Sequence, residues 1–210
     1  MRLSGVAALS VDYRLAPEHR FPAAFDDMAA ITRLAAREGA GFGIDPTRLA
    51  VGGDSAGACL ALGAALAMRD SGETALRFQL LIYGCFSTDI DSPSWRRFGR
   101  GAGLSQASMR WAWQTYLEKS EQWQDWRAAP ILADLTGLPP ALLIVGNLDP
   151  LLDDNQNLAA RLKQSGVPCG LTVYEGINHG FIRYGRLNKT ARRAITDCAE
   201  ALRKALAARG

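Results

Sequence analysis

Residues 51–57 read V-G-G-D-S-A-G and contain the G-x-S-x-G pattern that surrounds many serine nucleophiles. An apolar strand pattern precedes this segment and an apolar helix pattern follows it, so Ser55 stands at a strand-to-helix turn. Glycine on both sides of the serine leaves room in a sharp, strained corner, and a helix N-terminus favours developing negative charge. We therefore predict that Ser55 is a nucleophile rather than an ordinary helix N-cap, and that the backbone N–H of Ala56 donates to an oxyanion.

A serine nucleophile needs a general base, and the sequence contains two histidines, His19 and His179. In chains where G-x-S-x-G supplies the nucleophile, the acid and then the histidine follow the serine. His179 has that position and lies in a glycine-flanked loop, G-I-N-H-G, whereas His19 precedes Ser55 in a proline-broken loop. These observations favour His179 as the base.

The acid that orients the base should follow a strand between the serine and the histidine. Asp149 comes directly after the strand pattern at 141–145, in the segment N-L-D-P. An aspartate before proline is also typical of a helix N-cap, and Asp153 and Asp154 could simply complement the helix dipole. Because Asp149 lies at the carboxyl end of a strand, it can reach the same sheet edge as Ser55. We therefore predict Asp149, rather than Asp153, as the acid.

Short apolar runs alternate with helical patterns along the rest of the chain. We predict strands at residues 6–11, 49–51, 78–83, 141–145 and 171–174. We predict helices at residues 21–35, 56–68 and 151–164, and a final helix with one apolar face made by Ile195, Cys198, Leu202 and Leu206. Strands separated by helices are typical of a parallel sheet covered on both faces, and right-handed crossovers then make a doubly wound α/β sheet.

Residues 87–130 interrupt this alternation, because they contain no strand pattern and yet hold all five tryptophans. One interpretation is a helical hairpin whose aromatic side chains pack on the sheet. We favour a lid over a ligand site, since the insertion follows a strand end and aromatic side chains suit an apolar pocket. Residues 1–86 and 131–210 then form the α/β core. The predicted substrate contacts are Asp54, Trp95, Phe98, Trp111 and Trp113.

The composition argues against several other classes of protein. Hydrophobic residues make up 48% and charged residues 21% of the chain, which is typical of a globular protein, and a net charge of +3 is too balanced to imply nucleic-acid binding. Four cysteines without a C-x-x-C pair argue against a zinc or redox motif, so no metal is expected. Without an apolar run of about 18 residues or a signal peptide, we predict a cytoplasmic protein with no membrane span. We interpret the basic segment at 183–210 as the solvated face of the final helix.

Four blocks of the sequence resemble the hormone-sensitive-lipase family of carboxylesterases: D-Y-R-L-A-P-E-H at 12–19, G-G-D-S-A-G at 52–57, L-D-P-L at 148–151 and N-H-G-F at 178–181. The resemblance covers essentially the whole chain, with the blocks in family order. It implies an α/β-hydrolase fold with Ser55, Asp149 and His179 as nucleophile, acid and base, and it makes residues 87–130 part of a helical cap. It also implies hydrolysis of short- to medium-chain acyl esters without a cofactor, and it favours a homodimer.

The sequence departs from the family pattern at its start, because the family's H-G-G-G segment and first strands do not occur in it. The glycine N–H groups of that segment supply oxyanion donors, and losing one donor typically costs about 10²–10³ in rate. We therefore expect the N–H of Ala56 to be the main remaining donor. We also expect an unpaired sheet edge at residues 6–11, which lowers stability or mediates dimerisation. A second departure, Gly84-Cys85 where the family usually has proline, affects local backbone geometry.

Two alternatives to an active esterase remain at this stage. In the first, the chain is an N-terminally truncated hydrolase relic with weak or no activity. In the second, it is a small-molecule-binding module on the hydrolase fold. The second is disfavoured because receptors of that kind typically lose the catalytic histidine, and this sequence retains His179.

Overall fold

The structure, a computed structural model, describes residues 2–73, 75–101 and 103–207. Its sheet contains four parallel strands that follow one another in chain order. The strands are β1 (Leu49–Asp54), β2 (Leu76–Ile82), β3 (Ala141–Gly146) and β4 (Cys169–Tyr174). All four carboxyl ends therefore lie at one edge of the sheet, where the polar loops leave it.

Helices connect the strands and cover both faces of the sheet. They are α1 (Ala23–Glu38), α2 (Ala56–Asp70), α3 (Pro93–Phe98), α4 (Gln106–Tyr116), α5 (Leu152–Gln164) and α6 (Lys189–Ala205). Short 3₁₀ helices lie at Gly39–Phe42, Ser120–Gln124, Pro130–Leu132 and Phe181–Tyr184. Among the described elements, α2 and α5 lie on one face of the parallel sheet and α6 on the other, so the sheet is covered on both faces as the alternating patterns predict.

The apolar side chains of the strands divide between two cores. Leu81 and Leu143 are paired in the sheet and pack with α2 and α5, whereas Leu80 and Ile144 pack with α6 on the other face. Helix α2 packs between the sheet and α1, which explains why its sequence is apolar all round. Such helix-covered parallel sheets need apolar residues on both faces of each strand.

Helix α6 confirms the predicted amphipathic pattern. Cys198 and Leu202 pack against the sheet, while Arg192, Arg193 and Arg203 are exposed. The basic residues of this helix are thus its solvated face. Residues 208–210 of the predicted basic segment lie outside the described residues.

The predicted strand at residues 6–11 is wrong. Residues 5–15 adopt no regular secondary structure, and Leu9 is 58% exposed. A strand forms only where a neighbour completes its hydrogen-bond ladder, and none of the described strands lies beside this segment. The outer strand next to β2 is instead β1. The other four predicted strands are confirmed, each with its bounds shifted by a few residues.

Residues 87–130 contain α3 and α4 and no strand among their described residues. Trp95 and Trp113 are buried in one cluster with Cys59 of α2 and with Cys85, which follows β2. The insertion therefore shares a hydrophobic core with the elements around the sheet.

Two buried polar side chains join α5 to the segment that follows β2. Asp154 Oδ2 accepts hydrogen bonds from the N–H groups of Phe86 (2.9 Å) and Ser87 (3.2 Å). Asn155 Nδ2 donates to the carbonyl of Gly84 at 3.0 Å. Burial raises the pKa of Asp154 to about 7, although the two N–H donors act in the opposite direction.

The raised pKa of Asp154 predicts stability that falls as the pH increases. The unfolded carboxyl has a pKa near 3.8, so the native state binds more protons than the unfolded state until the pH passes about 7. Between about pH 4 and 8, the free energy of unfolding of the wild type should fall by on the order of 3 kcal/mol relative to that of Asp154→Asn. Urea unfolding of both proteins at several pH values measures this difference. The exposed Glu200→Gln serves as the control and should follow the wild type; a constant difference between Asp154→Asn and wild type would contradict the prediction.

Candidate active site

Ser55 connects the end of β1 to the start of α2 with a strained backbone. Its φ of 56° and ψ of −119° lie in a region that residues with side chains rarely adopt. The N–H of Ser55 donates to the carbonyl of Ile82 at 2.9 Å, which continues the pairing of β1 with β2 up to the serine. The surrounding sheet thus holds the predicted nucleophile in this turn.

The turn is sharp enough that Gly53 and Gly57 nearly touch. A Cβ on Gly53 would lie 2.3 Å from the carbonyl carbon of Gly57, so only glycine fits there. A Cβ on Gly57 would meet nothing within 4 Å. The predicted steric need for glycine on both sides of the serine is therefore found at Gly53 and not at Gly57.

His179 lies in the loop after β4 and contacts both of its predicted partners. Its Nε2 is 3.1 Å from Ser55 Oγ, and its Nδ1 is 2.9 Å from Asp149 Oδ2. The side chain of Asp149 is fully buried, and that of His179 is 12% exposed. One ring nitrogen faces a hydroxyl and the other faces a carboxylate, which is the arrangement of a serine–histidine–aspartate triad.

The turn after β3 gives each oxygen of Asp149 a separate partner. Oδ1 accepts the N–H of Leu151 at 2.9 Å, next to the start of α5, while Oδ2 faces His179. The backbone N–H of Asp149 donates to the carbonyl of Gly146 at 3.2 Å. The carboxylate therefore orders the entry to the helix and contacts the imidazole at the same time.

The two alternative residues lie elsewhere. Asp153 Oδ2 accepts the N–H of Ser94 at 2.8 Å, so its carboxylate faces α3. His19 is exposed in a loop, where its N–H donates to the carbonyl of Leu15 at 2.8 Å. Of the candidates considered, the structure brings Asp149 and His179 to Ser55.

Backbone contacts hold the acid turn against the histidine loop. A Cβ on Gly146 would lie 2.3 Å from the carbonyl oxygen of Ile177, so the two segments approach as closely as glycine allows. Leu148 N–H donates to that same carbonyl at 3.1 Å, and Gly176 N–H donates to Asn147 Oδ1 at 2.8 Å. The relative position of Asp149 and His179 is therefore fixed by the main chain.

Sequence reasoning missed Tyr83, which supports the imidazole. Tyr83 is fully buried at the carboxyl end of β2, and its ring centroid lies 4.8 Å from that of His179. Its hydroxyl donates to Asp54 Oδ2 at 3.2 Å, and burial together with that carboxylate raises the pKa of Tyr83. Its position at a strand end, the criterion that selected Asp149, was the available signal.

The five predicted substrate contacts are placed differently. Asp54 interacts with Tyr83 and is 3.4 Å from Arg183. Phe98 lines a cleft of about 630 Å³ beside the histidine loop. Trp95 and Trp113 are buried in the core, whereas Trp111 is 67% exposed. None of these three tryptophans lines the cleft that Phe98 lines.

The described residues form neither a metal-binding cluster nor a membrane-spanning helix. No group of three or more histidine, cysteine or acidic side chains among the described residues is placed to hold a metal ion. No helix of the described chain combines the length and the hydropathy needed to cross a membrane. The four cysteines are free thiols, of which three are buried.

The sequence matches a protein-family model described as alpha/beta hydrolase fold over residues 1–183. It is 35% identical over 205 residues to an ethyl acetate hydrolase from Pseudomonas putida, and 36% identical over 202 residues to the carboxylesterase NlhH from Mycobacterium tuberculosis. These alignments cover 97% and 94% of this chain and 64% and 63% of the two relatives. The chain thus spans slightly less than two thirds of the length of these curated relatives.

Two solved structures agree closely with this fold. An esterase from Pyrobaculum calidifontis has a TM-score of 0.93 at 37% identity, covering 98% of this chain and 68% of its own. The thermophilic carboxylesterase EstE1, cloned from a metagenomic library, has a TM-score of 0.95 at 38% identity, covering 99% and 71%. The α/β-hydrolase architecture predicted from the sequence is confirmed.

The close approach at the serine turn predicts opposite effects for two glycine substitutions. Gly53→Ala should lower the free energy of unfolding by at least about 2 kcal/mol, because the new Cβ meets immovable backbone. Gly57→Ala, the matched control in the first turn of α2, should be neutral or stabilise by up to about 1 kcal/mol. Thermal and urea unfolding compare the two variants. Equal stability of Gly53→Ala and Gly57→Ala would show that the turn is less crowded than described.

Proposed function

We propose that this chain, which belongs to the hormone-sensitive-lipase family of the alpha/beta hydrolase fold, is a serine carboxylesterase. The observation that carries the proposal is the continuous contact of Ser55 Oγ with His179 and of His179 with buried Asp149, at 3.1 and 2.9 Å. Relatives named as esterases support the same class of reaction.

In the proposed mechanism, His179 Nε2 takes the proton of Ser55 as Oγ attacks the ester carbonyl carbon. Asp149 accepts the hydrogen bond from Nδ1–H, keeps the ring in the required tautomer and stabilises the imidazolium. The tetrahedral intermediate then collapses, and His179 gives the proton to the departing alcohol. Water attacks the resulting acyl-enzyme with His179 as base, which releases the acid and restores Ser55.

Ala56 supplies one proposed donor to the oxyanion. It is the first residue of α2, where backbone N–H groups have no acceptor within the helix. The positive end of the helix dipole lies at the same place and favours the negative charge that develops on the substrate oxygen. Tyr83, whose ring packs edge-on against the imidazole, is a positioning residue in this scheme.

We propose short- to medium-chain acyl esters as substrates, with residues 87–130 as a cap beside the site. The cleft next to the histidine loop has apolar walls that include Phe98, Leu148 and Phe181. Phe98 comes from α3, so the insertion contributes directly to this cleft. The similarity to a protein named ethyl acetate hydrolase is in keeping with small esters.

The triad assignment is tested by covalent labelling and turnover. A fluorophosphonate probe should label the wild type and not Ser55→Ala, because the probe reacts with an activated serine. Asp149→Asn should lower kcat for p-nitrophenyl butyrate by about 10⁴, since the imidazole loses its required tautomer. Asp153→Asn is the matched control, since its carboxylate contacts Ser94 and not His179.

Two results would contradict this assignment. Equal labelling of the wild type and Ser55→Ala would mean that another residue reacts with the probe. A loss of turnover in Asp153→Asn as large as that in Asp149→Asn would mean that the acid has been assigned to the wrong carboxylate.

The apolar cleft predicts a dependence on acyl length. Each methylene that enters it should gain about 0.8 kcal/mol, or roughly fourfold in kcat/KM, until the space is filled. We expect kcat/KM to rise from acetate to butyrate or hexanoate esters and then to fall. Phe98→Ala should flatten this profile, whereas Trp111→Ala, which removes a solvent-exposed ring, should leave it unchanged. A profile that is flat in the wild type would argue against an acyl-binding cleft.

A further inference from the structure

The cleft of about 630 Å³ lies beside both loops that carry the proposed acid and base. Leu148, which precedes Asp149, lines it from one side. Ile177 and Asn178, which precede His179, line it from another. A small molecule in this cleft would therefore contact residues that adjoin the proposed acid and base in the chain.

The charge of the cleft has one sign. Arg97, near the end of α3, and Arg100, just beyond it, line the cleft, and no acidic side chain does so. The Arg97 guanidinium lies 5.1 Å from the centroid of the Phe98 ring. Clefts lined by one sign of charge concentrate the field and attract ligands of the opposite sign.

Arg97 and Arg100 differ from the neighbouring Arg96 in their ion pairing. Arg96, on the same helix, pairs with Asp91 at 3.2 Å. Within the described part of the chain, neither Arg97 nor Arg100 forms an ion pair with a carboxylate. A bound anion would supply the missing negative charge, and a guanidinium matches the two oxygens of a carboxylate with paired N–H donors.

We propose that Arg97 and Arg100 make this cleft a binding site for the free carboxylate of the substrate. The apolar walls accept a methylene chain, so the favoured substrates are half-esters of dicarboxylic acids, with an ester at one end and a carboxylate at the other. The substrate preference rests on the proposed esterase function, whereas carboxylate binding in the cleft does not. Because both guanidinium groups are exposed, the attraction is screened by salt.

The first experiment compares two esters of equal chain length, monoethyl adipate and ethyl hexanoate. The ratio of their kcat/KM values should fall by about three- to tenfold in the double variant Arg97→Gln/Arg100→Gln, in keeping with two partly exposed ion pairs. The ratio for the wild type should also fall as the salt concentration rises. Arg96→Gln, which removes a neighbouring cation outside the cleft, should leave the ratio unchanged. An unchanged ratio in the double variant would overturn the proposal.

The second experiment separates this inference from the proposed function. Monoethyl adipate is titrated calorimetrically into Ser55→Ala, with and without the two arginine substitutions. Binding that the double substitution weakens, and that Arg96→Gln does not, supports the site even if the wild type hydrolyses no ester. Hydrolysis of ethyl hexanoate with no measurable binding of monoethyl adipate would keep the esterase function and overturn the carboxylate site.

Discussion

The hydrogen bond between His179 Nδ1 and the buried carboxylate of Asp149 is the contact on which the rest of the site depends. A fully buried carboxylate is costly unless it is hydrogen-bonded, and this one has His179 on one oxygen and the N–H of Leu151 on the other. The same contact aims Nε2 at Ser55. The entry to α5 and the orientation of the ring toward Ser55 are therefore linked through one carboxyl group.

Each of the four strands is followed by one residue of this site. Ser55 follows β1, Tyr83 follows β2, Asp149 lies just beyond β3, and His179 is in the loop after β4. Neighbouring strands are about 4.8 Å apart, so His179 must extend back across the sheet edge to reach Ser55. The Tyr83 ring packs edge-on against the His179 ring, and the close approach of Gly146 to Ile177 fixes the start of the histidine loop. Because the strands are parallel, residues that are far apart in the sequence lie close together at one edge of the sheet.

Sequence patterns predicted the parts of this arrangement that depend on local rules. Strand alternation, a glycine-lined serine turn and an aspartate after a strand are each visible within a few residues, and the structure brings Ser55, Asp149 and His179 together. Other features depend on contacts between distant segments. The apolar run at 6–11 has no neighbour among the described strands. Trp95 and Trp113 are buried in a core that composition alone does not define. The contact of Tyr83 with His179 likewise depends on how two distant segments come together.

Asp149 and Asp154 show how one helix start holds two buried carboxyl groups. Asp149 faces an imidazole, whereas Asp154 receives only backbone N–H donors. Burial, and to a smaller extent the nearby charges of Asp89 and Asp149, raises the pKa of Asp154 to about 7. Through these donors Asp154 ties α5 to the segment after β2, while Asp149 ties the start of the same helix to His179. The same residue type therefore serves the packing of the helix at one position and the candidate site at the other.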